Sequence, residues 1–101
     1  MTLKIQVDRR EQLRRRVYHW ADRLRLTPRT VCIRSMVRKW GSCSSNGTIT
    51  LAANLARRSP DFQDFVIVHE LLHMRIPNHS RLFQATMSVH VPAWKAQSVI
   101  R

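Results

Sequence analysis

The sequence predicts a single α+β domain, a small antiparallel sheet packed on an N-terminal helix and a central helix, with further helices at the C-terminal end. Three observations predict it. Apolar residues recur at helical spacing around two segments, two β-branched runs flank an Asn46-Gly47 turn, and 101 residues suffice for one modest core. Hydrophobic residues make up 44% of the chain, a globular composition. No repeat, low-complexity tract or linker interrupts it, so residues 1–101 read as one domain.

Leu3, Ile5 and Val7 alternate with polar residues, which predicts a short strand or strand-like arm. Over residues 8–26 the period changes. Leu13, Val17, Trp20 and Leu24 form one helical stripe, with Asp8 as N-cap and Glu11 completing a capping box. Arg9, Arg15, Arg16 and Arg23 fall on the other face, and Thr27-Pro28 ends the segment. Residues 31–38, VCIRSMVR, read as a strand, and residues 48–52, TITLA, as its return across the Asn46-Gly47 turn. Ser59 as N-cap and Pro60 at the first helical position open the central helix, with Asp61 and Asp64 in its first turn. That helix is expected to reach about Arg75. Residues 80–90 resume a helical period through Leu82, Phe83, Thr86 and Met87, and Pro92 starts a last short helix.

The stretch FVIVHELLHMRIPNHS at 65–80 carries the chemistry. His69 and His73 lie four apart, so a helix projects both imidazoles from one face, where they can share a metal ion. Glu70 stands beside them to handle a water proton. Pro77 stops the helix, Asn78 suits the turn, and His79 emerges from it as a third ligand. Two helical ligands, a base and one ligand beyond a turn describe an open catalytic zinc site. The alternative, a chance HExxH on a helix surface, fits poorly with the apolar residues around it, since buried His and Glu need partners. His90 competes with His79 as third ligand, and His19 reads as structural or exposed. Cys32 and Cys43 lack metal-ligand spacing and read as free thiols, although sequence alone leaves a bridge between them open.

The formal charge is +12, and residues 1–40 hold twelve Lys or Arg against three acids. Such a surface attracts polyanions, so Arg9, Arg15, Arg16 and Arg23 are candidates for non-specific nucleic-acid contact; the plainer reading is a solvated helix face. No run is apolar enough for a membrane span, and the N-terminus lacks the apolar core of a signal peptide. The expected location is cytoplasmic.

With these residues in view, the chain resembles the YgjP-like metal-dependent hydrolases, relatives of the SprT-like and WLM zinc proteases. The matching words are RKWGSCSSNGTITL at 38–51, DFVIVHELLHMRIPNHSRLF at 64–83 and VPAWK at 91–95, within residues 34–95. The resemblance implies a minimal zincin fold and one Zn²⁺ per chain held by His69, His73 and His79. It also implies Glu70 as general base and a peptide or protein substrate. The chain departs from the pattern at Phe65, where members often carry Tyr, and at Gln84, where they often carry Trp. Members also commonly have a long N-terminal region not seen here, so the sequence looks like the catalytic module alone.

Peptide-bond hydrolysis is thus the expected reaction, with Trp40, Gly41 and Ser42 as candidate substrate-binding residues. An oxyanion donor besides zinc is expected from backbone N–H groups or Ser42. Two rivals belong to other classes. Arg38, Lys39, Arg75 and Arg81 flank the motifs and could hold phosphates in a nucleotide phosphoanhydride hydrolase, but a three-histidine set prefers zinc over the hard cations of phosphate chemistry. A basic nucleic-acid-binding protein with a structural metal would need a fourth ligand, such as His90 or Cys43.

Overall fold

The computed structural model describes residues 2–99, with side chains over residues 8–97. Helix α1 spans Thr2–Leu24, followed by strands β1 (Thr30–Arg34), β2 (Gly41–Cys43) and β3 (Thr48–Ala52). A 3-10 turn at Ala53–Arg57 leads into α2 (Pro60–Leu72), and α3 (Arg81–His90) and α4 (Trp94–Val99) complete the order.

Helix α1 begins six residues before the expected cap, at Thr2 instead of Asp8. No Gly or Pro separates residues 2–7 from the helical run, so the helix propagates through the segment expected to be a strand-like arm. The predicted stripe is buried: Leu13, Val17, Trp20 and Leu24 are at most 7% exposed. The helix stops before Pro28. Arg25 adopts φ 57°, while Leu26 N–H bonds to Ala21 O at 2.8 Å and Arg25 N–H to Asp22 O at 3.1 Å. These two bonds are a Schellman cap with arginine in the position usually given to glycine.

The sheet order is β1-β3-β2, and the sheet is mixed, not antiparallel. β1 runs parallel to β3, pairing Val31 with Ile49, whereas β2 is antiparallel to β3, pairing Ser42 with Thr50. The turn accounts for the difference. Gly47, at φ 87°, donates its N–H to Ser44 O at 3.0 Å, and Ser44 N–H bonds to Thr48 O at 2.9 Å. A turn this tight folds back the residues next to it, so 41–43 becomes the hairpin partner and the strand at Thr30–Arg34 takes the far edge of β3. Cys32 aligns with Thr50 and Cys43 with Ile49, on opposite strands and opposite faces of the sheet, which keeps both thiols free.

Helix α2 lies at the centre. Ser59 Oγ accepts from Phe62 N–H at 3.2 Å, with Pro60 in the first turn as expected. Phe62, Phe65, Val66, Ile67, Val68, Leu71 and Leu72 are all buried, so the helix is apolar nearly all round. Gln63 Nε2 reaches the carbonyls of Leu55, Ala56 and Arg58 at 3.1–3.3 Å, fixing the preceding turn.

The first turn of α2 holds Asp61 alone; Asp64, expected beside it, lies one turn further on and serves another purpose. Its carboxylate accepts from Arg16 Nε at 2.6 Å and from Trp20 Nε1 at 2.8 Å, tying α1 to α2. Asp64→Ala leaves a guanidinium and an indole N–H without their acceptor, and is expected to cost about 2–3 kcal/mol. A urea titration measures it, and an unchanged midpoint would show that apolar packing alone holds the two helices together.

Candidate metal centre

Regular α2 ends at Leu72, short of the expected Arg75, and the chain tightens. His73, Met74 and Arg75 N–H groups bond three residues back, to Glu70, Leu71 and Leu72, at 3.0–3.2 Å. His73 keeps right-handed helical angles, φ −64° and ψ −17°, so it still shares a face with His69. After the turn, Ser80 caps α3 by accepting from Phe83 N–H at 3.3 Å, and Gln84 Nε2 donates to His79 O at 3.3 Å. These bonds hold the segment that returns His79 to the helix.

The three imidazoles converge. His79 Nε2 lies 3.1 Å from His69 Nε2 and 3.1 Å from His73 Nε2. A tetrahedral zinc with bonds of about 2.0–2.1 Å separates its ligand nitrogens by about 3.3 Å, close to this spacing. One nitrogen carries either one proton or one lone pair, so mutual hydrogen bonding cannot serve the trio as well as one shared cation does. The outer nitrogens support that reading: His73 Nδ1 lies 3.2 Å from Ile76 O, and His69 Nδ1 lies 3.1 Å from Glu70 Oε2. A proton on each Nδ1 leaves each Nε2 lone pair turned to the centre. The residues present therefore fit a metal ion.

Aromatic packing sets the rings. Phe83 stacks on His73 with centroids 4.8 Å apart and meets His69 and His79 edge-on at 5.3 and 5.0 Å. Phe65 lies 5.9 Å from His69. Phe65 is expected here only as a departure from the family pattern, and Phe83 only as part of a helical period. The signal was present: Phe65, His69 and His73 repeat every four residues, and Phe83 follows His79 by one helical turn.

Glu70 is 6% exposed, and β2 lies against it. A Cβ on Gly41 would sit 3.1 Å from Glu70 Cγ and 3.1 Å from Leu51 Cδ2, so glycine lets the strand approach. Gly41→Ala is expected to destabilise by about 1–3 kcal/mol through overpacking. A full-strength urea midpoint in that variant would mean that the strand lifts without penalty. Among the described residues no buried side-chain oxygen or nitrogen lacks a partner. Oε2 is the carboxylate oxygen that makes the bond to His69. Burial pushes the Cys43 thiol above its ordinary range, and the Glu70 carboxylate adds to the rise, so Cys43 is a poor nucleophile.

The other expected residues are scattered. Trp40 is half-buried, edge-on to Phe62 at 5.3 Å, with the Arg58 guanidinium 5.0 Å from its ring. Ser42 lies in β2, the edge strand beside α2. His90 packs against Trp20 at 6.2 Å, away from the histidine trio. Arg16 is committed to Asp64, and Arg23 lies over Trp20 at 4.9 Å. Arg9 and Arg15 are exposed.

A sheet laid beside a helix that presents paired imidazoles is the ground plan of a minimal zincin. The chain shares its fold with the crystal structure of the metallopeptidase zymogen of Methanocaldococcus jannaschii jannalysin, at a TM-score of 0.70 and 22% identity, over 77% of this chain and 80% of that one. By sequence the chain belongs to the YgjP-like family, matching its metallopeptidase domain over residues 5–99. The match takes in most of α1, so the basic first helix is part of the family domain and not an appendage. Among curated protein sequences none matches significantly. Among the described residues no helix is long and apolar enough to cross a membrane.

Proposed function

We propose that the protein is a cytoplasmic zinc peptidase in which His69, His73 and His79 hold the metal and Glu70 is the general base. The observation that carries this reading is the approach of His79 Nε2 to both helical imidazoles at 3.1 Å, beside a buried carboxylate. Three imidazoles favour zinc over harder cations. Among the described residues the cluster contains no fourth His, Cys, Asp or Glu, which suits an open site more than a structural one. Zinc supplies Lewis acidity and an acidified water when bound.

The remaining work falls to the chain. Glu70 takes a proton from the attacking water at Oε1 and passes it to the leaving amine. Its Oε2, bonded to His69 Nδ1, keeps that ring oriented meanwhile. β2 lies at the sheet edge next to α2, so an extended substrate can add beside it through main-chain hydrogen bonds. Ser42 Oγ or a β2 backbone N–H then serves as oxyanion donor. Protein reconstituted with zinc should cleave an unfolded fluorogenic substrate such as labelled casein, and a zinc chelator should abolish the cleavage. Phosphate release from nucleoside triphosphates, with no peptide cleavage, would overturn the assignment.

A further inference from the structure

We infer that a basic trough on the α1 and 36–40 side of the molecule binds single-stranded nucleic acid. Two grooves, of about 300 and 240 Å³, lie side by side, with Asn54 in the wall of both. The first is lined by Arg9, Arg10 and Arg57, and the second by Arg38 and Lys39. Among the described residues no carboxylate lines either groove. All five cations are exposed, and the ion pairs among the described residues, those of Arg14, Arg16 and His69, involve none of them.

Of the four arginines that the sequence offers for polyanion contact, only Arg9 lines this trough. The larger groove along α1, lined by Arg15, Arg16 and Arg23, also contains Asp64, which neutralises Arg16. The trough keeps its full positive charge. Its floor also differs in chemistry: Trp40 lines the second groove and Asn54 is exposed where the two meet. Cations for phosphates, an aromatic surface for a base and an amide for a base edge are the recurring parts of single-strand binding. Grooves of about 300 and 240 Å³ are too small to seat a duplex but can take single nucleotides of a flexible strand. An acidic peptide would use the cations but leave the aromatic surface without a base to stack. Binding here does not depend on whether the histidine site hydrolyses peptides.

The test is fluorescence anisotropy of a labelled oligothymidylate over a salt series, with the full chain. The triple variant R38Q/K39Q/R57Q is expected to bind at least tenfold more weakly. Its salt slope should fall by about 2, since each single-strand phosphate contact contributes about 0.7. The control triple R15Q/R23Q/R29Q removes the same charge elsewhere and should bind within about twofold of the parent, the criterion set by a purely local contact. The single variant Lys39→Gln, at an exposed position, should show a smaller loss in the same direction, and serves if the triple variant does not fold. Equal losses in the two triples would overturn the assignment and leave only net charge. Tighter binding of a duplex of equal length would overturn it too, as would displacement of the oligonucleotide by polyglutamate at equal charge.

Discussion

Glu70→Gln is expected to lower kcat for peptide cleavage by about 10²–10⁴-fold, the usual contribution of a positioned general base, while the protein keeps its zinc. The residue is 6% exposed, with its Cγ under Gly41, so an isosteric replacement disturbs no packing. The glutamine carbonyl can still accept from His69 Nδ1, as Glu70 Oε2 does at 3.1 Å. What the amide cannot do is take a proton. Activity and bound metal should be measured on one preparation, by turnover of a fluorogenic substrate and by elemental analysis. Full turnover with full metal would remove Glu70 from the mechanism. Loss of metal together with turnover would assign it to orienting His69 instead.

His79→Ala should leave the fold standing and weaken the site by at least about 100-fold in zinc affinity, or about 3 kcal/mol, a proportionate share of the roughly 10–16 kcal/mol available to a four-coordinate zinc site. His79 is exposed and lies outside α2, so little packing is lost with its ring. Its Nε2 is nevertheless the atom that approaches both other ligands at 3.1 Å. Zinc at a thousand times its dissociation constant stabilises a binding protein by about 4 kcal/mol. The parent should therefore show a clear rise in melting temperature on zinc addition, and the variant little or none. Zinc retained at full affinity by the variant would move the third ligand elsewhere and undo the proposed centre.

The legible parts of the site lay on one continuous element. His69 and His73 are fixed relative to each other by helical spacing, and His79 follows a turn whose Pro77-Asn78 is written in the chain. The buried stripe of α1 and the Ser59 cap of α2 were read for the same reason: both are local patterns. Leu3, Ile5 and Val7 alternate as a strand would, yet the uninterrupted helical run that follows continues through them. The strongest strand signal, 31–38, suggests itself as the hairpin partner of 48–52. The turn instead selected its immediate neighbour, and the sheet became mixed.

By itself the sequence determined the α+β class, the spacing of the histidines, the carboxylate's place beside them and the basic charge, because each follows from residue type and short-range periodicity. The tertiary structure decided which surfaces meet. It brought Gly41 over Glu70, placed Phe83 against all three imidazoles, neutralised Arg16 with Asp64 and gathered the unpaired cations around Asn54. Apart from Phe83 on His79, those contacts join residues far apart in the chain. Their geometry depends on how helices and sheet pack, which no local spacing encodes.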